Sequence, residues 1–199
     1  MSFLFALMAL FAVTTTSTPI VGTPVPDFSA ATTADIDINL GQFAGQKVVL
    51  EWTNDGCPYV QKHYGSKNMQ RLQKRLTSEG VVWITIISSA PGEQGYVTPA
   101  QANELTSSRG AAPTHVVLDP SGEIGRLYGA KTTPHMFLID EAGVLQYAGA
   151  IDSIPTAREK DITRAENYVL EAYTSLKAGK SVVTKQSQPY GCSVKYAAQ

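Results

Sequence analysis

Apolar residues along this chain gather into short continuous runs that alternate with amphipathic stretches. Lys47 to Thr53 (KVVLEWT) is rich in β-branched and aromatic residues and is bounded by Gly45 and by Asn54-Asp55-Gly56, which predicts a strand ending in a tight turn. From Pro58 to about Leu76 the apolar positions Val60, Tyr64, Met69, Leu72 and Leu76 recur at helical spacing, basic residues fill the other face, and Pro58 suits a first helical position. Val81 to Ser88 (VVWITIIS) is a nearly unbroken apolar run of strand length, the pattern of a central parallel strand covered on both faces. Thr98-Pro99 opens a second helix that runs to about Ser108. Thr114 to Asp119 predicts a third strand, and Pro120-Ser121-Gly122 turns it into a short helix over Glu123 to Tyr128. A strand over His135 to Asp140, a hairpin turn at Ala142-Gly143 and a strand over Val144 to Ala150 follow. Asp161 to Lys177 predicts a closing helix with Ile162, Ala165, Val169, Tyr173 and Leu176 on one stripe and Gly179 as its stop.

This order implies an α/β fold with a central mixed β-sheet and helices on both faces. One domain is expected over residues 22–180, after a leader and linker over 1–21 and before a polar tail over 181–199. An extended segment around Pro24, Pro26 and Asp27-Phe28 and a short turn over Leu40 to Gly45 lead into the first strand. No internal repeat is visible.

Composition narrows the function classes. Among 199 residues, 16 Lys+Arg stand against 17 Asp+Glu, and no basic run provides a footprint for nucleic acid. With 43% hydrophobic and 17% charged residues the chain can bury a sizeable core without metal or multiple staples. Phe3 to Val13 is an unbroken apolar run, too short to span a bilayer and of the size of a secretory h-region. It implies an exported protein with a removed or anchoring signal and no other membrane span. Against that stand the absence of any basic residue before Lys47 and of an Ala-x-Ala site in Thr14 to Thr18. Export would place the two cysteines in an oxidising space.

Cys57 stands where the first strand hands over to the first helix. Free amide groups and the positive end of the helix dipole stabilise the thiolate there, and the thiolate is the nucleophile. Lys62 and His63 add positive potential and Asp55 opposes it. Cys192, in Pro189-Tyr190-Gly191-Cys192-Ser193, is the second thiol. Three arrangements are open to the pair: a cycling couple in which Cys192 resolves what Cys57 attacks, a permanent clip, or a Cys192 left free or joined to another chain.

The motifs together resemble the thioredoxin-like superfamily, in particular the redoxin branch that includes alkyl hydroperoxide reductase and thiol-specific antioxidant proteins. Val25-Pro26-Asp27-Phe28, Cys57-Pro58, Asp119-Pro120-Ser121-Gly122-Glu123-Ile124-Gly125-Arg126-Leu127-Tyr128-Gly129, and Thr133-Pro134 ahead of Phe137-Leu138-Ile139-Asp140 carry the resemblance in order. It implies a thioredoxin-like fold in which Pro134 is a cis proline against Cys57. It also implies a substrate groove built from Thr133, Pro134, Pro58 and Tyr59, with the Thr133 backbone offered to an extended substrate.

Departures from the family pattern select among its activities. Val60 stands where the second thiol of Cys-x-x-Cys belongs, which excludes a local dithiol exchange. Asn54 and Pro134 stand near the positions of the Thr and Arg that activate peroxide in peroxiredoxins, with Thr53 and Arg126 as substitutes nearby. Thiol-disulfide exchange with Cys57 as nucleophile and Cys192 as resolving thiol is therefore the first expectation. Its substrate is a protein or small-molecule disulfide, its reductant an external dithiol. A peroxiredoxin-like peroxidase is the second, a non-catalytic peptide-binding module the third. Glu51 matches the buried acid that thioredoxins use to move protons; it reads equally as a general base or as a paired strand-end carboxylate. His63, His115 and His135 have no spacing that would build a metal site with the cysteines, and neither metal nor cofactor is expected.

Overall fold

The computed structural model describes residues 18–198; the Phe3 to Val13 run and the export signal read from it lie outside them. The chain opens with a hairpin of β1 (Ser29–Ala31) and β2 (Asp37–Asn39), followed by a 3-10 turn over Leu40–Phe43 that Asn39 caps. Then come β3 (Val48–Trp52), α1 (Pro58–Gly65), α2 (Asn68–Ser78), β4 (Val82–Ile87), α3 (Pro99–Ser108), β5 (His115–Leu118) and α4 (Glu123–Leu127). The remainder is β6 (Thr132–Thr133), β7 (His135–Ile139), β8 (Leu145–Gly149), a 3-10 turn over Glu159–Arg164, α5 (Tyr168–Lys177) and β9 (Cys192–Ser193).

Five strands form the central sheet in the order β5-β4-β3-β7-β8. β3 pairs in parallel with β4, and β4 with β5, whereas β7 runs antiparallel to β3 and β8 antiparallel to β7. Side chains alternate across the sheet. Val48, Leu50 and Trp52 of β3 pack with Phe28, Ile38, Phe43, Tyr128 and Phe137 on the face covered by the hairpin and α4. Val49 of β3 packs with Trp83, Met136 and Leu138 against α1, α2 and α5 on the other. The α/β class and the mixed sheet read from the sequence are those observed.

Two predicted helices are each interrupted. The stretch from Pro58 to Leu76 is split at Ser66-Lys67, where Lys67 adopts a left-handed conformation with φ 62° and its amide returns to the Tyr64 carbonyl at 3.2 Å. The closing helix begins at Tyr168 rather than Asp161: Asn167 accepts the Leu170 amide at 2.9 Å as its cap, and the residues before it form a separate turn around buried Asp161. Arg158 at 2.9 Å and Arg164 both pair with that carboxylate. Local ion pairing thus overrides a periodicity that would run through. The N-terminal hairpin had no signal stronger than the extended stretch around Pro26.

The polar tail is also ordered against the body. Ser187 bonds the Ala150 amide at 2.9 Å, the Val194 amide bonds the Lys131 carbonyl at 3.1 Å, and Tyr196 bonds the Ala130 carbonyl at 2.8 Å.

The left-handed Lys67 gives a direct test of the helix break. Lys67→Gly should stabilise the protein by up to about 1 kcal/mol in urea unfolding, because glycine adopts positive φ without the side-chain penalty. Lys67→Val should destabilise it; equal stabilities would contradict the break.

Candidate functional site

The antiparallel register of β3 with β7 sets Trp52 opposite His135, so the end of β3 and the start of β7 lie at the same edge of the sheet. Five residues beyond Trp52, Cys57 is the N-cap of α1, with extended backbone (φ −85°, ψ 120°) and Pro58 in the first turn. Asn54 shapes the approach: its carboxamide oxygen accepts the Gly56 amide at 2.9 Å, its nitrogen donates to the Gln94 carbonyl at 3.0 Å, and its backbone carbonyl takes the Cys57 amide at 3.0 Å.

Immediately before β7, the Thr133–Pro134 peptide is cis, and the Cys57 thiol donates to the Thr133 carbonyl at 3.0 Å. β9 pairs antiparallel with β6 so that Cys192 faces Thr133. Both cysteines are present as thiols, Cys57 fully buried and Cys192 partly so. Burial raises the Cys57 thiol, yet it is held below its ordinary range because the Cys192 thiol, the Val60 and Cys192 amides and the Thr133 side chain stabilise its anion. Cys192 moves the other way, up to about 11, through burial and its neighbour Cys57. The pair is therefore asymmetric, one thiol poised to ionise and the other to stay protonated.

Tyr59 and Tyr190 meet edge to face with ring centroids 5.8 Å apart, and Pro58 is exposed beside them. Among the described residues the buried Thr133 hydroxyl has no hydrogen-bond partner while the Cys57 thiol is protonated. Thr53 likewise leaves a buried hydroxyl without a partner. Arg126 is committed elsewhere: it bonds the Ser121 and Ala197 carbonyls at 2.6 and 3.1 Å and lies over the Tyr196 ring.

Glu51 projects to the α1 and α2 face and is wholly buried. Tyr64 donates to it at 2.8 Å, Trp83 at 2.8 Å, Gln73 at 3.0 Å and Thr85 at 3.1 Å. Burial raises its carboxyl above the ordinary range, against the pull of those donors and of Arg109. Its hydrogen-bond partners include neither cysteine.

The positive potential expected around Cys57 from Lys62 and His63 is largely cancelled. Lys62 is buried and pairs with buried Asp152 at 2.9 Å, and burial holds His63 near 4, so it is neutral at pH 7. Asp55, expected to oppose that potential, is itself bound by Arg109 at 3.2 Å. Asp152 had no signal in the sequence: it lies in a loop after β8 and meets α1 only through tertiary packing. His135 is a packed strand histidine, 4.5 Å from the Phe137 ring, and its Nδ1 accepts the Lys131 amide at 3.3 Å. Among the described residues no group of His, Cys, Asp or Glu is arranged to hold a metal ion, and no helix is long and apolar enough to cross a membrane.

The fold recurs in solved structures. A hypothetical protein of Sinorhizobium meliloti superposes with a TM-score of 0.73 at 21% identity, covering 92% of this chain and 98% of its own. An uncharacterised conserved protein of Geobacillus kaustophilus gives 0.76 at 21% identity, covering 90% and 94%. A Chlorobium tepidum chain assigned as a thiol:disulfide interchange protein, DsbE, gives 0.54 at 23% identity, covering 66% and 85%. No curated protein matches the chain in sequence. Residues 20–168, which include Cys57, Thr133 and Pro134 but not Cys192, match the family model described as Redoxin, and the chain belongs to this thioredoxin-like redoxin family.

Proposed function

We propose that the protein is a thiol-disulfide oxidoreductase in which Cys57 is the nucleophile and Cys192 the resolving thiol. The observation that carries this reading is the β6–β9 pairing, which sets Cys192 opposite Thr133 while the Thr133 carbonyl receives the Cys57 thiol. Family membership and the Chlorobium tepidum neighbour assigned to thiol:disulfide interchange support the same class.

In the proposed cycle the Cys57 thiolate attacks one sulfur of a substrate disulfide; a Cys57 mixed disulfide forms and the other substrate sulfur leaves as a thiolate that takes a proton from solvent. Cys192 then attacks the Cys57 sulfur. Its proton passes to the departing second thiol, and a Cys57–Cys192 disulfide closes. The substrate gains two electrons and two protons, and an external dithiol returns both to the protein. Thr133, Pro134, Pro58 and Tyr59 border the approach to Cys57. Glu51 acts as a positioning residue, since it holds Tyr64 of α1 and has no hydrogen bond to either cysteine. The apolar run at Phe3 to Val13 supports an extracytoplasmic setting for this chemistry.

A peroxidase reading finds less support, because Asn54 builds the loop and Arg126 is bound to Tyr196 and the tail. In dithiol-driven reduction of a small aromatic disulfide, Cys57→Ser should fall to the uncatalysed background. Cys192→Ser should accumulate a Cys57 mixed disulfide visible by mass spectrometry. A Cys57→Ser variant that keeps the wild-type rate would end this reading, and peroxide consumption faster than that of free cysteine would favour the peroxidase.

The thiol pairing has its own pH signature. Since the folded Cys57 ionises at lower pH than the unfolded thiol, it contributes stability above the unfolded pKa that is lost as pH falls through the folded one. Cys192→Ala should shift the pH midpoint of Cys57 alkylation upward. An unmoved midpoint would show that Cys192 does not stabilise the Cys57 anion.

A further inference from the structure

Cys57 is completely buried, although it is the group placed to react. What lies over it is the chain's own tail. Gly191 has φ +138° and approaches the Thr133 carbonyl so closely that a Cβ would overlap it. Cys192 follows against Thr133, and Val194 continues the track by donating to Lys131.

Two residues before the cysteine, Tyr190 enters a built socket. Its hydroxyl donates to Asp152, and Lys62 and His63 contact it at 3.3 and 3.4 Å. Lys62 is held there by Asp152 and by the Ile154 carbonyl, both at 2.9 Å, and Tyr59 closes the socket edge to face. Burial and Asp152 keep the phenol protonated, so it stays a donor.

We propose that Pro189 to Ser193 occupy in cis a recognition track for an extended cysteine peptide, with glycine immediately before the cysteine and a phenol two residues before it, so that an external protein thiol or disulfide reaches Cys57 only by displacing the tail. This deepens the redox reading and rests on Cys57 being the reacting thiol. In the closed form the tail buries Cys57; in the open form the Thr133 edge, the glycine slot and the Asp152–Lys62 socket select the incoming chain. The tail is then the protein's own competitor for its substrate site.

The test uses reduced full-length protein, with Cys57 followed by peptide mass spectrometry so that it is resolved from Cys192. Wild type should react at Cys57 with N-ethylmaleimide far more slowly than the same protein unfolded in urea. Tyr190→Phe, which keeps the ring and removes the hydroxyl, and Gly191→Ala, which crowds Thr133, should each narrow that gap by roughly tenfold, the equivalent of one lost hydrogen bond to a charged group. Folding of each variant is checked by circular dichroism. A wild-type Cys57 that reacts as fast folded as unfolded, or a gap unchanged in both folded variants, would overturn the proposal.

A second arm offers Tyr190→Phe protein a synthetic peptide of residues 187–195 whose cysteine carries an activated mixed disulfide. It should react at Cys57 faster than the same peptide with alanine for its tyrosine or its glycine; equal rates would remove the two subsites. Alkylation requires no turnover. Variants that open Cys57 yet exchange no disulfide would therefore refute the redox reading alone.

Discussion

The antiparallel pairing of β3 with β7 is the constraint on which the site depends. It carries the chain from the sheet edge into α1 at Cys57 and brings it back at Thr133 and Pro134, so that two segments remote in sequence meet at one thiol. The hydrophobic faces fix this register. A slip of one residue would turn Val49, Met136 and Leu138 out of the layer they share with α1, α2 and α5 and expose their apolar surface to the wrong side.

Around that thiol the protein uses buried polar groups for two purposes. Glu51 collects four donors from one strand and two helices, and so ties Tyr64 of α1 and Gln73 of α2 to the sheet beneath. Asp152 joins Lys62, Tyr190 and the Ile154 amide, and so ties the tail to the same helix. Removing one partner from the Lys62–Asp152 pair would leave an uncompensated buried charge, at a cost of roughly 3–5 kcal/mol. The two clusters hold the helix that bears Cys57 from below and the segment that bears Cys192 from above.

In the proposed cycle this arrangement takes the place of the local second cysteine of a Cys-x-x-Cys motif. Val60 stands at that position and is buried in the core, and the second thiol of the proposed pair lies on β9. Such a partner responds to its surroundings in a way a neighbour on one helix turn cannot, because its approach depends on the docking of a whole segment through Ser187, Tyr190, Val194 and Tyr196.

Much of this was legible in local sequence. The apolar runs of β3 and β4 and the Cys57-Pro58 boundary depend on period and capping, which neighbouring residues carry by themselves, and the α/β class follows from their alternation. The same local signals misread the breaks at Lys67 and before Asn167, where a left-handed turn and ion pairs to Asp161 override an apolar stripe. Nor do they contain the partners of Lys62 and His63, which read as positive charges near the thiol until folding places Asp152 against them. The sequence by itself determined that a cysteine would sit at the mouth of a helix with a second one in reserve. Only the tertiary structure decided that the second would lie along Thr133, because strand pairing between distant segments is settled by the sheet register and the docking of the tail, which no local period encodes.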